Sequence, residues 1–222
     1  MKPANPTNFD RIARPYRWME YFSFGPYLQR TRVQFVRELQ SCRLALVLGD
    51  GDGRFIAKLL TANPAIHVDA VDLSAVMLRL LTKRAMNVAS AKNRLRTIQT
   101  DALDFVADGR SLPDYDLVAT HFFLDCLNED EVLGLVSRLT PRLARNALWV
   151  VSDFAIPDRQ PIGFASRIVV GALYRAFRLL TGLKTQALPD HSTALRRSGF
   201  ILSNSKLHLG GMLVSELWIL KQ

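Results

Sequence analysis

The chain has 222 residues, 49% of them hydrophobic and 22% charged, which suits one α/β domain with a buried core and excludes a disordered chain. Twenty-nine lysines and arginines against twenty aspartates and glutamates give a formal charge of +9 and a pI near 10.0. That excess suits nucleic acid, an anionic membrane surface, an acidic ligand or simply a solvated basic face. No window reaches the roughly 18 apolar residues of a membrane-spanning helix. The start, Met1-Lys2-Pro3-Ala4-Asn5-Pro6, lacks the apolar centre of a secretory signal. Cys42 and Cys126 make neither a disulfide framework nor a zinc-spaced cluster, so a reduced, cytoplasmic, metal-free protein is expected.

Residues 1–26 mix aromatics, arginines and turn residues, and predict short helices and turns. Leu28, Val33, Phe35, Val36 and Leu39 recur at helical spacing over 27–40. Leu44–Leu48 is an apolar run that ends in glycines and reads as a buried strand. A helix follows from Phe55, and a second strand spans Ile66–Val71. Ser74 caps a helix that runs to about Met86. Further strands are expected at Arg94–Gln99, Tyr115–Thr120 and Ala147–Ser152. Asn128 caps a helix with Glu129, Asp130 and Glu131 in its first turn, where the helix dipole favours acids. Strand and helix alternate every 20–30 residues, the pattern of βαβ crossovers and a parallel sheet covered on both faces. Residues 157–189 read as an apolar, basic insertion, before a helix over His191–Ser198. Phe200–Leu207 and Leu213–Leu220, with Gly210-Gly211 between them, read as an antiparallel hairpin.

The sharpest motif is Leu48-Gly49-Asp50-Gly51-Asp52-Gly53-Arg54-Phe55, between the first strand and its helix. Glycines there let the chain turn tightly and let a ligand approach the backbone. Asp72 follows Gly49 by 23 residues, close to the spacing of a carboxylate that accepts from ribose hydroxyls. A purely structural βα turn is the alternative. Asp50 and Asp52 in the loop would repel a pyrophosphate, so a cationic, phosphate-free nucleoside such as S-adenosylmethionine suits the site better than a dinucleotide. Asp101-Ala102 follows the third strand, where the carboxylate can meet an adenine amine, cap a helix, or do both.

These motifs in order, with Val71-Asp72-Leu73-Ser74, Thr100-Asp101-Ala102 and Tyr115-Asp116-Leu117-Val118, resemble the class I S-adenosylmethionine-dependent methyltransferases over roughly residues 8–155. Phe9–Tyr16 and Ser23-Phe24-Gly25 also look like the start of the ubiquinone/menaquinone C-methyltransferase group. The resemblance implies a Rossmann-like, seven-stranded, mostly parallel sheet with an antiparallel last strand in a single domain, 1–222. It implies an N-terminal helical cap over 1–40 that folds above the cofactor and brings Tyr16 to it. Gly49, Gly51 and Gly53, with Asp50 beside them, would pass the methionine part. Asp72 would hold the ribose, Leu73 and Asp101-Ala102 would flank the adenine, and His121 would line the pocket. Relatives often carry an acid two residues before the first loop glycine, where this chain has Val47.

Methyl transfer from a sulfonium needs alignment and exclusion of water, and a base only where the acceptor must lose a proton. His121 is the candidate base at the end of the fourth strand, with Asp125 to orient it; the alternatives are a cofactor-lining histidine and an ordinary helix start. The acceptor expected is small and hydrophobic or aromatic. The insertion is read as a lid, with 162–188 able to rest on an anionic membrane, or as an amphipathic helix packed on the domain. A nucleic-acid methyltransferase is less favoured, because His121-Phe122-Phe123-Leu124 stands where base amino methylases carry Asn/Asp-Pro-Pro-aromatic. A nicotinamide reductase is disfavoured by Arg54 in the third-glycine position and by the lack of a Tyr-x-x-x-Lys pair. A non-catalytic protein that binds the same cofactor is the remaining alternative.

Overall fold

A computed structural model describes residues 26–107, 114–155 and 189–221. Strands β1 (Leu44–Leu48), β2 (His67–Asp72), β3 (Leu95–Gln99), β4 (Tyr115–His121), β5 (Leu143–Phe154), β6 (Phe200–His208) and β7 (Leu213–Leu220) form one sheet in the order β3-β2-β1-β4-β5-β7-β6. Pairs from β3 to β5 are parallel, and β7 runs antiparallel between β5 and β6. The expected α/β, Rossmann-like sheet of seven strands, with its last strand antiparallel, is therefore observed.

Six α-helices are described: α1 (Pro26–Val33), α2 (Arg54–Ala62), α3 (Ala75–Ala85), α4 (Ala102–Ala107), α5 (Glu129–Leu139) and α6 (His191–Arg197). Successive side chains of β1 go to opposite faces, and both faces are buried, so its five residues are all apolar. Ala45 and Val47 join Phe55, Ile56, Leu59 and Leu60 of α2 and Leu81 of α3. Leu46 and Leu48 join Val132, Leu135 and Val136 of α5, Leu195 of α6, Trp149 and Trp218.

Helix caps follow local chemistry. The Ser74 hydroxyl accepts from the Met77 amide, and Asn128 and Glu131 form a reciprocal capping box on α5. The end of α2 is closed from a distance: the buried Arg94 guanidinium donates to the carbonyls of Leu60 (3.2 Å), Asn63 (3.1 Å) and Ala89 (2.9 Å).

Two elements depart from the sequence reading. The helix expected over 27–40 stops at Val33, and Val36–Leu39 is a separate 3-10 turn. The Thr31 carbonyl, which a continuing helix would offer to Phe35, instead accepts from the hydroxyls of Ser152 (3.1 Å) and Ser215 (2.8 Å). Strand β5 starts at Leu143 rather than Ala147. Tyr115 pairs with Leu143 but Leu117 pairs with Leu148, so β5 bulges, with Asn146 left-handed at φ 58°. Exposed Arg145 and Asn146 in that bulge hide the start of the strand. Residues 1–25 of the expected cap, and all of the expected lid except Pro189, lie outside the described residues.

Candidate functional site

The parallel registers set four residues in a row along the carboxyl edge of the sheet. Leu48 pairs with Val71 and with Thr120, so the next residue, Gly49, stands level with Asp72 on one side and His121 on the other. His121 in turn pairs with Ser152. This edge, where neighbouring connections diverge to opposite faces, is where open α/β sheets take ligands.

The Gly49–Gly53 turn is built for close approach. Its three glycines are all left-handed, at φ 66°, 60° and 80°. A Cβ on Gly49 would lie 2.5 Å from the Phe123 ring, and one on Gly53 would lie 2.7 Å from the Leu81 backbone. A Cβ on Gly51 would meet nothing within 4 Å, so this glycine faces open space.

Neither loop acid is a bare charge. Asp50 turns inward and its carboxylate accepts from the Phe55 amide (3.4 Å) and the Ile56 amide (3.0 Å) of α2. Burial pushes its carboxyl up to about 7, against the pull of those amides and of Arg32. Asp52 is held by Arg54 at 3.2 Å and by Arg84 of α3 at 2.7 Å, and Arg84 also grips its carbonyl at 2.9 Å. Repulsion of a pyrophosphate by both acids, expected from the sequence, is weakened here, since Asp52 is paired with Arg54 and Arg84 and burial favours the neutral form of Asp50. The structure supplies a different cause: Asp50 already occupies first-turn amides of α2 that a phosphate would use.

Asp72 closes β2, and one of its carboxylate oxygens accepts from the Ser74 amide at 2.8 Å. Leu73 beside it is 45% exposed, unusual for a large apolar side chain at the head of a covered sheet. Asp72 pairs with Gln99, which brings Leu73 and Asp101 to adjacent strand ends. The Asp101 carboxylate accepts from the Leu103 amide at 2.8 Å, the capping role, and Ala102 is buried beneath it. Tyr16 lies outside the described residues.

His121 is buried, with its ring centroid 4.2 Å from that of Phe55. Its Nδ1 lies 2.9 Å from the Ser152 hydroxyl. Burial, aided by the Arg32 charge, pulls its pKa down to about 3, so the imidazole is neutral. The residue after it, Phe122, is left-handed at φ 54°, a strained state for an aromatic, with its amide on the Ser152 carbonyl at 2.7 Å. Its ring lies under the Arg32 guanidinium at 5.0 Å.

Asp125, expected to orient His121, faces Asp153. The two buried carboxyls hydrogen-bond to one another, and the Cys126 thiol donates to Asp125 at 3.4 Å. Burial first, and for Asp153 the facing Asp125 charge, raise both above the usual carboxylate range. Asp153, Ser152 and Arg32 were not singled out from the sequence. Ser152 and Asp153 become visible only through the β4–β5 register, and Arg32 carries no local signal. Among the described residues, no group of three or more His, Cys, Asp or Glu is placed to hold a metal ion. No helix among them is long and apolar enough to cross a membrane.

Residues 46–148 match the family model described as a methyltransferase domain. An O-methyltransferase family protein from Burkholderia thailandensis is similar in structure at TM-score 0.69 and 16% identity, over 100% of this chain and 65% of that one. This is a methyltransferase fold. N-methyltransferase NodS from Bradyrhizobium japonicum WM9, solved with S-adenosyl-L-homocysteine, shares that fold at TM-score 0.69 and 14% identity, over 99% of this chain and 100% of that one. Magnesium protoporphyrin IX methyltransferase from Synechocystis PCC 6803, also with bound S-adenosylhomocysteine, shares it at TM-score 0.68 and 18% identity, over 96% and 94%. The chain spans less than two thirds of the length of the Burkholderia protein. No match was found among curated protein sequences.

Proposed function

We propose that the chain is an S-adenosylmethionine-dependent methyltransferase acting on a small, hydrophobic or aromatic acceptor. One observation carries the reading: Asp72, the open Gly51 turn and His121 share one edge, next to helix amides that Asp50 has closed to phosphate. The methyltransferase-domain match and the likeness to proteins solved with S-adenosylhomocysteine support it.

S-adenosylmethionine supplies a methyl group already activated on a sulfonium. The protein's task is then to bind, align and keep water out. Asp72 is assigned to the ribose hydroxyls, Leu73 and Asp101-Ala102 to the adenine, and the turn of Gly49, Gly51 and Gly53, with Asp50 behind it, to the methionine portion. Tyr16 is assigned to the covering segment, and Phe9–Tyr16 supports a finer kinship with the quinone C-methyltransferases.

His121 is assigned to the pocket wall rather than to proton transfer, because a pKa of about 3 makes it a weak proton acceptor near neutrality. Where an acceptor has a proton to lose, the Asp125–Asp153 pair is better matched, since burial has raised its proton affinity.

Isothermal titration calorimetry with S-adenosylmethionine tests the reading. Saturable binding is expected, and Asp72→Ala should weaken it at least tenfold while the fold persists. No heat at millimolar ligand would overturn it.

A further inference from the structure

Two carboxyls can share a hydrogen bond only when one of them holds a proton, because an ionised carboxylate only accepts. The Asp125–Asp153 contact therefore carries one proton and one negative charge near neutrality. Burial decides which member is charged. Asp153 on β5 is 2% exposed, whereas Asp125, beyond the end of β4, keeps 9% of its surface. The Asp125 amide serves both carboxyls. Asp153 gains the Phe154 amide at 2.8 Å, and Asp125 gains the Cys126 thiol at 3.4 Å. From α6, His191 also acts on Asp125, and is itself held by Glu216 of β7 at 2.9 Å. The charge thus settles on Asp125, the outer member, and the proton on Asp153.

The pair lies on the edge that carries the site. Three contacts lace the exit of β4 to the exit of β5: His121 to Ser152 at 2.9 Å, the Phe122 ring to the Phe154 ring at 5.3 Å between centroids, and Asp125 to Asp153. Within the same stretch the Phe123 ring lies against Gly49, so the exit of β4 also borders the glycine turn.

We propose that Asp125 is the ionised member and takes the proton of a hydroxyl acceptor, and that Asp153 is a neutral carboxylic acid that positions Asp125 by donating a hydrogen bond to it. The proposal rests on the cofactor reading above. The acceptor class follows from the base: a hydroxyl must shed its proton as its oxygen bonds to carbon, whereas a neutral amine attacks through a free lone pair. The hydroxyl proton passes to Asp125, the oxygen lone pair forms the new O–C bond, and the electrons of the broken C–S bond stay on the sulfur of S-adenosylhomocysteine.

Carbon NMR of the wild-type side-chain carboxyls tests the division of roles with no variant and no ligand. Near neutrality Asp153 should read as protonated and Asp125 as ionised. The reverse assignment, or two ionised carboxylates, would overturn the proposal.

Kinetics test the chemistry, with S-adenosylmethionine as donor and matched naphthols and naphthylamines as acceptors. Transfer to the naphthols should be at least about tenfold faster; equal rates, faster amines or no transfer to either would refute the acceptor class. Asp125→Asn should lower kcat about a hundredfold or more, the usual worth of a positioned base. Asp153→Leu should lower it about as far with KM little changed, and Asp153→Asn, whose amide still donates, should recover it to within about tenfold of wild type. An Asp153→Asn protein as inactive as Asp125→Asn, yet folded and binding S-adenosylhomocysteine as tightly as wild type, would overturn the positioning role. A wild type that binds no S-adenosylhomocysteine would instead sink the cofactor reading, with the NMR assignment still standing.

Discussion

Gly51 and Gly53 separate two uses of the same residue. Both are left-handed, so either alanine substitution costs about 1–2 kcal/mol in backbone strain. Gly53→Ala also drives a methyl into the Leu81 backbone, and its melting temperature should drop by several degrees more. Gly51→Ala has open space around the new methyl, so it should fold but bind S-adenosylhomocysteine at least tenfold more weakly in calorimetry. Two buried titratable groups pull stability in opposite directions with pH. Asp50 has a folded pKa of about 7, above its unfolded value, so the folded state binds the extra proton and stability falls as pH rises from about 4 to about 7. Asp50→Asn should remove that slope, and urea titrations should show the variant gaining a few kcal/mol on wild type across the window. His121, lowered to about 3, works the other way: stability is lost as pH falls below about 6.5 and the unfolded imidazole takes up a proton. The glycine turn and Asp72 were legible in the sequence because their chemistry is local. The inward turn of Asp50, the Asp125–Asp153 contact and the His121–Ser152 pair were not, since each depends on which strand lies beside which.

At the scale of elements, covered and exposed strands were legible alike, the largely exposed β3 and β6 among them. Strands β1 and β4, covered on both faces, announce themselves as apolar runs, and both were located to within a residue. The start of β5 was missed because a bulge carries Arg145 and Asn146 outward. Helix α5 was legible from its cap, Asn128, and the acids that follow. Asn128→Ala should cost about 1 kcal/mol and lower the melting temperature by about 2–4 °C. Arg94 reads as one more surface arginine in the sequence, yet it is buried and satisfies carbonyls of three residues around the end of α2. Arg94→Met leaves those acceptors without donors and should destabilise by about 3 kcal/mol or more, seen as a lower urea midpoint at unchanged slope.

For the whole molecule, the +9 charge is the one global feature that the site does not use. If it serves nucleic acid, filter retention of RNA should fall steeply between 50 and 200 mM salt. We expect instead weak retention with no preference for sequence, as for a solvated basic surface. The strand order carries a different consequence. β6 is made before β7, yet β7 takes the inner slot between it and β5, whose own end at Phe154 precedes Leu213 by almost sixty residues. A nascent chain halted at Met212 would hold two raw strand borders with nothing to zip them. The sheet therefore cannot close until Leu213–Leu220 has left the ribosome, and until then both borders stay open to a chaperone or a protease.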